Sequence, residues 1–363
     1  MYYFPSFFYP VLYRTALVII VCLATSLTAC IDSLLIEGDL DRELLVVDGF
    51  FSTASTTHSL RLFYTKDIGL RIQEPATGAH VIIFDKQGNS AAYREDDGGV
   101  YKLNAENFSG KTGEAYYLEI TLSDGKKYRS NPQTIPERVR PVALSFQIES
   151  RAMESYFNVI SESTFVDLFV DTPVRIAESP VSLRWRVDEV YSFADETCGG
   201  LDGTLNCYVY LQPKNDIVIL NGEDLESGII QNIPVFSKRL FPRTPEFEQK
   251  HVFNVYQHTI TKEAYDYYKK ARDIANPDGS IFNLPPAALS GNIFNVEDPE
   301  DLVLGFFEVA SIDTIRLFLR PVDFLEKYEF VKYCNNVFPN RFTPDCCDCR
   351  QIEGSSLVAP DYW

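Results

Sequence analysis

The sequence predicts a mainly β protein: an N-terminal immunoglobulin-like or transthyretin-like β-sandwich, then a second β-rich domain with one amphipathic helix and a disulfide-bearing C-terminal tail. Three observations lead there. Short runs alternate apolar and polar residues and are punctuated by Gly-, Asn- and Asp-rich turns. Aromatics are abundant, 26 Phe and 21 Tyr against 2 Met, a composition that favours strands. Only one stretch carries a convincing helical period.

The first element is a leader. Arg14 is the only charge before Asp32, and the apolar run Ala16 to Ala24 is too short to span a bilayer, which takes roughly 20 residues. It closes on Leu27-Thr28-Ala29-Cys30, a bacterial lipobox pattern. Residues 1–29 therefore read as a lipoprotein signal peptide and Cys30 as the lipidation site, where two or three acyl chains give lasting anchorage. A plain signal peptide, an uncleaved anchor, or a true start downstream of Met1 are the competing readings. Residues 30–43, with Glu37, Asp39, Asp41 and Glu43, read as an acidic tether.

The sandwich is expected over 44–136. Leu44 to Phe51, Ser59 to Tyr64, Ala79 to Asp85, Tyr93, Val100 to Leu103, Glu114 to Leu122 and Lys127 to Ser130 are its strands, separated by turns such as Lys86-Gln87-Gly88-Asn89 and Ser123-Asp124-Gly125-Lys126. Pro132, Pro136 and Pro141 mark a linker. The β-rich domain covers 137–333, with strands at 142–149, 164–170, 181–190, 208–211, 217–220, 239–241, 251–258, 302–307 and 314–319. Its helix lies near 261–275: Thr261 caps it, Glu263 sits in the first turn, and Ala264, Tyr267, Tyr268 and Ala271 form its apolar stripe. Residues 334–363 are the Cys-rich tail.

Setting aside Cys22 and Cys30, six of the eight cysteines remain: Cys198, Cys207, Cys334, Cys346, Cys347 and Cys349. An even number in an exported chain reads as disulfides. Cys198 and Cys207 flank a Gly-rich loop and are expected to pair, leaving the other four to pair among themselves. Two sharper readings compete. Cys346 and Cys349 have redox C-x-x-C spacing but lack the strand-to-helix context that lowers a thiol pKa. Four cysteines also suit zinc, but Cys334 stands alone rather than in a second knuckle.

The net charge is −18, or −19 once the leader's single Arg14 is removed, and no basic patch is visible, which argues against a nucleic-acid partner. His58, His80, His251 and His258 show no ligand spacing and read as ordinary strand or loop residues. No nucleophile elbow, phosphate loop or dinucleotide fingerprint is present. The acidic clusters Glu95-Asp96-Asp97, Asp195-Glu196 and Glu297-Asp298-x-Glu300-Asp301 suit solvated turns better than calcium binding or glycoside hydrolysis. Asp32-Ser33-Leu34 and Asp313-Thr314-Ile315 resemble a bacterial Asp-Ser/Thr-apolar O-glycosylation acceptor. No catalytic residue, metal site or cofactor is expected.

Several short motifs, in order, carry a resemblance. They are Leu45-Val46-Val47-Asp48-Gly49 after the lipobox, Gly78-Ala79-x-Val81, Gly99-Val100-Tyr101, Tyr117-Leu118-x-Ile120, and Asp124-Gly125-Lys126-x-Tyr128-x-Ser130. The helix Glu263 to Tyr268, Pro286-Ala287-x-Leu289-x-Gly291-Asn292-Ile293-x-Asn295, Gly305-Phe306-Phe307, Cys347-x-Cys349-Arg350 and Pro360-Asp361-Tyr362-Trp363 complete them. Together they resemble the domain-of-unknown-function 4249 family, lipoproteins of the Bacteroidetes cell envelope; the doubled Cys346-Cys347 departs from it. The resemblance implies an outer-membrane location, facing the surface or the periplasm, and an association with TonB-dependent transporters. The expectation is a non-catalytic accessory lipoprotein held to the membrane by its lipid, with a surface carbohydrate- or peptide-binding protein as the alternative and a hydrolase of unrecognised type as the third.

Overall fold

Strand β1 (Leu45–Ser52) buries Leu45, Val47 and Phe51 and turns Asp48 to solvent, the period-two pattern its sequence carries. The computed structural model describes residues 43–54, 57–65, 73–106, 108–154, 160–196, 205–213, 216–226, 228–275, 289–324, 327–334 and 344–363. The leader and most of the tether, Cys30 among them, lie outside it. In chain order follow β2 (His58–Thr65), β3 (His80–Asp85), β4 (Val100–Leu103), β5 (Ala115–Thr121), β6 (Lys127–Ser130), β7 (Ala143–Glu154), β8 (Ile160–Pro173) and β9 (Ser182–Ala194). Then come β10 (Asn206–Leu211), β11 (Val218–Asn221), β12 (Ile229–Arg239), β13 (His251–Ile260), the helix α1 (Lys262–Ala275) and β14 (Leu304–Leu319), with shorter pieces between.

The protein is mainly β, as expected. One large sheet runs β10-β9-β13-β14-β1-β2-β4, a second is built on β6-β5-β3, and a third is β7-β8-β12. Leu45, Val47, Phe51, Leu60 and Leu62 of the large sheet pack with Val81, Ile83, Leu118 and Ile120 of the second in one apolar core. Farther along the large sheet, Trp185, Val187, Phe253, Val255 and Leu319 share a second core with Val166, Leu168, Val170, Ile233 and Val235 of the third. Burying both faces of these interlocked rows supplies most of the drive to fold.

The first core also takes in Ile293, Val303, Phe307 and Val309, from beyond the boundary expected at 136/137. β14 pairs in parallel with β1, Val46 opposite Leu304 through Ser52 opposite Ala310. Its other half pairs antiparallel with β13, His251 opposite Leu319 through Ile260 opposite Ala310. Ile293–Asn295 adds to β6, and Ser355–Ser356 of the tail adds to β10. Residues Glu43–Trp363 accordingly cluster as one unit. A strand edge left by the first sandwich is covered by a strand arriving from the far end of the chain, which removes an exposed edge.

Other differences have the same origin. The strands expected at 302–307 and 314–319 are one 16-residue strand, because β1 takes over as β13 ends. Gly305 permits the close approach: its φ is +91°, and a Cβ there would sit 2.1 Å from the Val47 carbonyl oxygen. β12 starts ten residues before the expected 239, its alternation masked by Pro234 and by Asn232 at φ 56°. The helix matches closely. Thr261 Oγ1 accepts from the Ala264 N–H at 3.1 Å, and the buried side includes Ala264 and Tyr265.

Candidate functional site

One cluster of ionisable side chains lies under α1. Arg184 of β9 donates through Nη2 to Glu308 Oε1 of β14 at 3.0 Å, and His258 Nδ1 of β13 lies 3.1 Å from the same oxygen. The Tyr268 ring of α1 stands 4.7 Å from the guanidinium carbon, and Phe50 packs on the imidazole at 5.1 Å. These residues reach one spot because the strands are laterally aligned: Arg184 is opposite His258 in the β9–β13 ladder.

The electrostatics follow from burial and pairing. Desolvation by itself would raise Glu308, but the Arg184 charge and the hydrogen bonds from His258 and Arg184 outweigh it and hold the carboxyl at about 2. Burial, then the neighbouring Arg184 charge, push His258 down to about 4. The imidazole is therefore neutral at pH 7, and its Nδ1 lies 3.1 Å from both Glu308 Oε1 and Arg184 Nη2. Glu308 Oε2 and Arg184 Nε have no hydrogen-bond partner among the described residues.

A second cluster joins β9, β12 and β13. His251 Nε2 lies 2.8 Å from Glu189 Oε2 and its Nδ1 lies 3.0 Å from the Glu246 carbonyl oxygen. Both ring nitrogens lie within hydrogen-bond distance of an oxygen. Lys238 Nζ bridges Glu189 and Glu246 at 2.9 and 2.8 Å. Burial opposes ionisation of Glu189, yet His251 and Lys238 hold its carboxyl below the usual range. Phe247 stacks on the His251 ring at 4.3 Å, closing this pair away from water.

A pH dependence follows. His58, against Phe51 at 4.6 Å, is likewise pushed down to about 4 by desolvation. Both histidines bind a proton near 6.5 when unfolded and only near 4 when folded, so the unfolded state holds more protons between those values. Stability is then full above about 6.5 and is lost as pH falls towards 4, by at most about 3 kcal/mol per histidine. Urea midpoints at pH 7 and pH 5 are expected to show the drop, with a shallower slope in His58→Gln; an unchanged slope would contradict it.

The sequence assigned His251 and His258 to a strand, correctly, but left their partners unseen. The separations explain why: Arg184 to Glu308 is 124 residues and Glu189 to His251 is 62. The acidic clusters serve turns and pairs. Asp96 pairs with Lys102 at 2.7 Å, Asp195 accepts from the N–H groups of Leu205 and Cys349, and Asp301 accepts from Tyr128 and Asn295. No group of three or more His, Cys, Asp or Glu among the described residues is placed to hold a metal ion.

The cysteines correct the expected pairing. Cys207 bonds Cys349, with Cα atoms 5.9 Å apart, and not Cys198, which lies outside the described residues. Cys334 bonds Cys346 across 5.7 Å, and Cys347 is also disulfide-bonded. The reason is the tail strand: Tyr208 opposite Ser356 brings Cys349 to the edge where Cys207 sits. Cys346 and Cys349 thus have different partners, contrary to a C-x-x-C redox pair, and the thiols that zinc would need are oxidised.

The surface offers open clefts. One of about 400 Å³ lies beside β7, β8 and β12, where Phe169 and Phe236 adjoin Arg151, Asp167 and Asp216. Another of about 490 Å³ is lined by Asp85, Glu106, Lys111, Glu114 and Tyr116. No helix among the described residues is long and apolar enough to cross a membrane.

A search of curated proteins returned no match. Among solved structures, one described as "Structural basis for the promiscuous specificity of the carbohydrate-binding modules from the beta-sandwich super family" is similar at 8% identity, over 55% of this chain and 94% of that one, with a TM-score of 0.16. A score that low carries no argument about fold or ligand. The family model described as "Domain of unknown function (DUF4249)" matches residues 31–316, more than three quarters of the sequence. The chain belongs to that domain-of-unknown-function 4249 family.

Proposed function

We propose that this chain is a non-catalytic accessory lipoprotein of the outer membrane, tethered through acylated Cys30, that docks with a TonB-dependent transporter in nutrient uptake or envelope assembly. One observation carries the non-catalytic part: the tightly gathered reactive groups are spent on one another. Arg184, Glu308 and His258 close one cluster, and Lys238, Glu189 and His251 the other. A carboxylate held at about 2 by a buried arginine is a poor general base at neutral pH. The anchoring part is supported by the lipobox and by the family match opening at residue 31, directly after Cys30. A tether from Cys30 to Leu45 reaches at most about 50 Å, which keeps the body within protein-contact distance of the bilayer. The transporter part rests on what family resemblance implies.

Tagged chain recovered from solubilised envelope is expected to bring down a β-barrel transporter, and Cys30→Ser to abolish both palmitate labelling and recovery in the membrane fraction. Retained labelling would sink the anchor, and recovery of the chain without any transporter would sink the docking role. The cleft with Phe169 and Phe236 beside Arg151 and Asp167 favours a second reading, a carbohydrate-binding surface, since sugars stack on aromatic faces next to polar groups. Retention of the same preparation on a glycan array would favour that reading over transporter docking.

A further inference from the structure

The two edges of the β7-β8-β12 sheet are built differently. β12 carries Pro234, Asn232 at φ 56°, Lys238 and Arg239, and its register with β8 shifts twice. Proline, bulges and charged residues are the devices by which natural edges refuse a further strand. β7 has none of the first two. It pairs with β8 in unbroken register from Ala143 opposite Asp171 to Glu154 opposite Ile160, without Pro, Gly or Lys. No β7 residue joins any other backbone hydrogen bond among the described residues.

The outer part of β7 also lacks support. β12 ends at Arg239 opposite Phe165, and Phe165 is opposite Glu149. Beyond that point β7 and β8 continue as a two-stranded arm, and every residue from Glu149 to Glu154 is exposed. Two strands alone are marginal in water; a third makes a stable sheet.

We propose that this edge pairs antiparallel with the same edge of a second copy of the chain, about a twofold axis at Ser150. The charges single out both the partner and the register. With Ser150 opposite Ser150, Glu149 faces Arg151 of the second copy and Arg151 faces its Glu149. Ile148 then faces Ala152, and the pairing extends to Phe146 opposite Glu154. The neighbouring registers that keep the pleat set Glu149 against Glu149, or Arg151 against Arg151, and like charges directly opposite are unfavourable. Arg151 also pairs with Asp167 of its own chain, so in the dimer it stands between two carboxylates. The interface is isologous and closes at two copies.

The test uses the full chain in detergent. Ser150→Cys places two thiols on residues about 4.5–5.5 Å apart at Cα, inside the range of a disulfide. Mild oxidation is expected to give a covalent dimer on non-reducing gels. Met153→Cys, equally on the arm but facing Gln147, is expected to give at least tenfold less. Sedimentation equilibrium, which needs no new cysteine, is expected to show a dimer that Glu149→Arg weakens at least tenfold. Equal linking in both cysteine variants, a wild type that stays monomeric across the concentration range, or a Ser150→Cys adduct to a different envelope protein would each overturn the second-copy assignment. None of these outcomes depends on a transporter being present.

Discussion

Replacing Cys207 and Cys349 together by serine is expected to destabilise the fold by up to about 5 kcal/mol. The bond spans 142 residues, and in the chain-entropy model a loop of that length restricts the unfolded state by about that amount. The folded side loses as well. Cys207 and Cys349 are buried in a small cluster with Tyr191, Phe193, Val209, Cys334 and Cys346, and this cluster holds the tail against β10. A typical domain is stable by only about 5–15 kcal/mol, so the variant stands near the edge of folding. Cys334–Cys346 closes a separation of only 12, for which the same model gives about 3 kcal/mol. Urea unfolding of the two double-serine variants decides the matter: a larger loss from the short loop would show that packing, not loop entropy, sets the order.

The second large effect is expected at Glu308. Glu308→Gln keeps the shape but leaves the Arg184 guanidinium, 18% exposed, without its counter-charge beneath Tyr268. Breaking a buried ion pair by removing one partner costs about 3–5 kcal/mol, because an uncompensated charge stays in a poorly solvated place. Removing both partners is a different change. Arg184→Met combined with Glu308→Gln is expected to recover most of the loss, since two desolvated charges disappear together. A double-mutant cycle from thermal or urea unfolding measures the coupling. Additive losses would mean that the pair is not the unit the geometry describes. His258 supplies a further readout: with Glu308 neutral, the charge that raises its pKa is gone while the Arg184 charge that lowers it remains, so its pKa is expected to fall further.

Much of the fold was legible because the signals are local. β1, β2 and β3 alternate inward and outward residues along their own length, and pleating needs only neighbouring residues. The turn Leu122 to Lys126 closes on itself, with the Gly125 N–H donating to the Leu122 carbonyl. Thr261 caps α1 three residues away. The lipobox and the tether are also contiguous stretches. For the candidate site the position is reversed. The histidines were visible as residues, but their chemistry was not, because each partner comes from a strand that reaches it only when the large sheet closes.

What the sequence determined by itself is therefore the class, the mainly β architecture, most strand positions and the family, each written in patterns a few residues long. The tertiary structure alone decided that β14 would run beside β1, that Cys207 would find Cys349, and that Arg184, His258 and Glu308 would meet under one helix. The physical reason is distance along the chain. Pairing two strands or two thiols separated by more than a hundred residues is set by the summed burial of the whole sheet, and no short stretch encodes that sum.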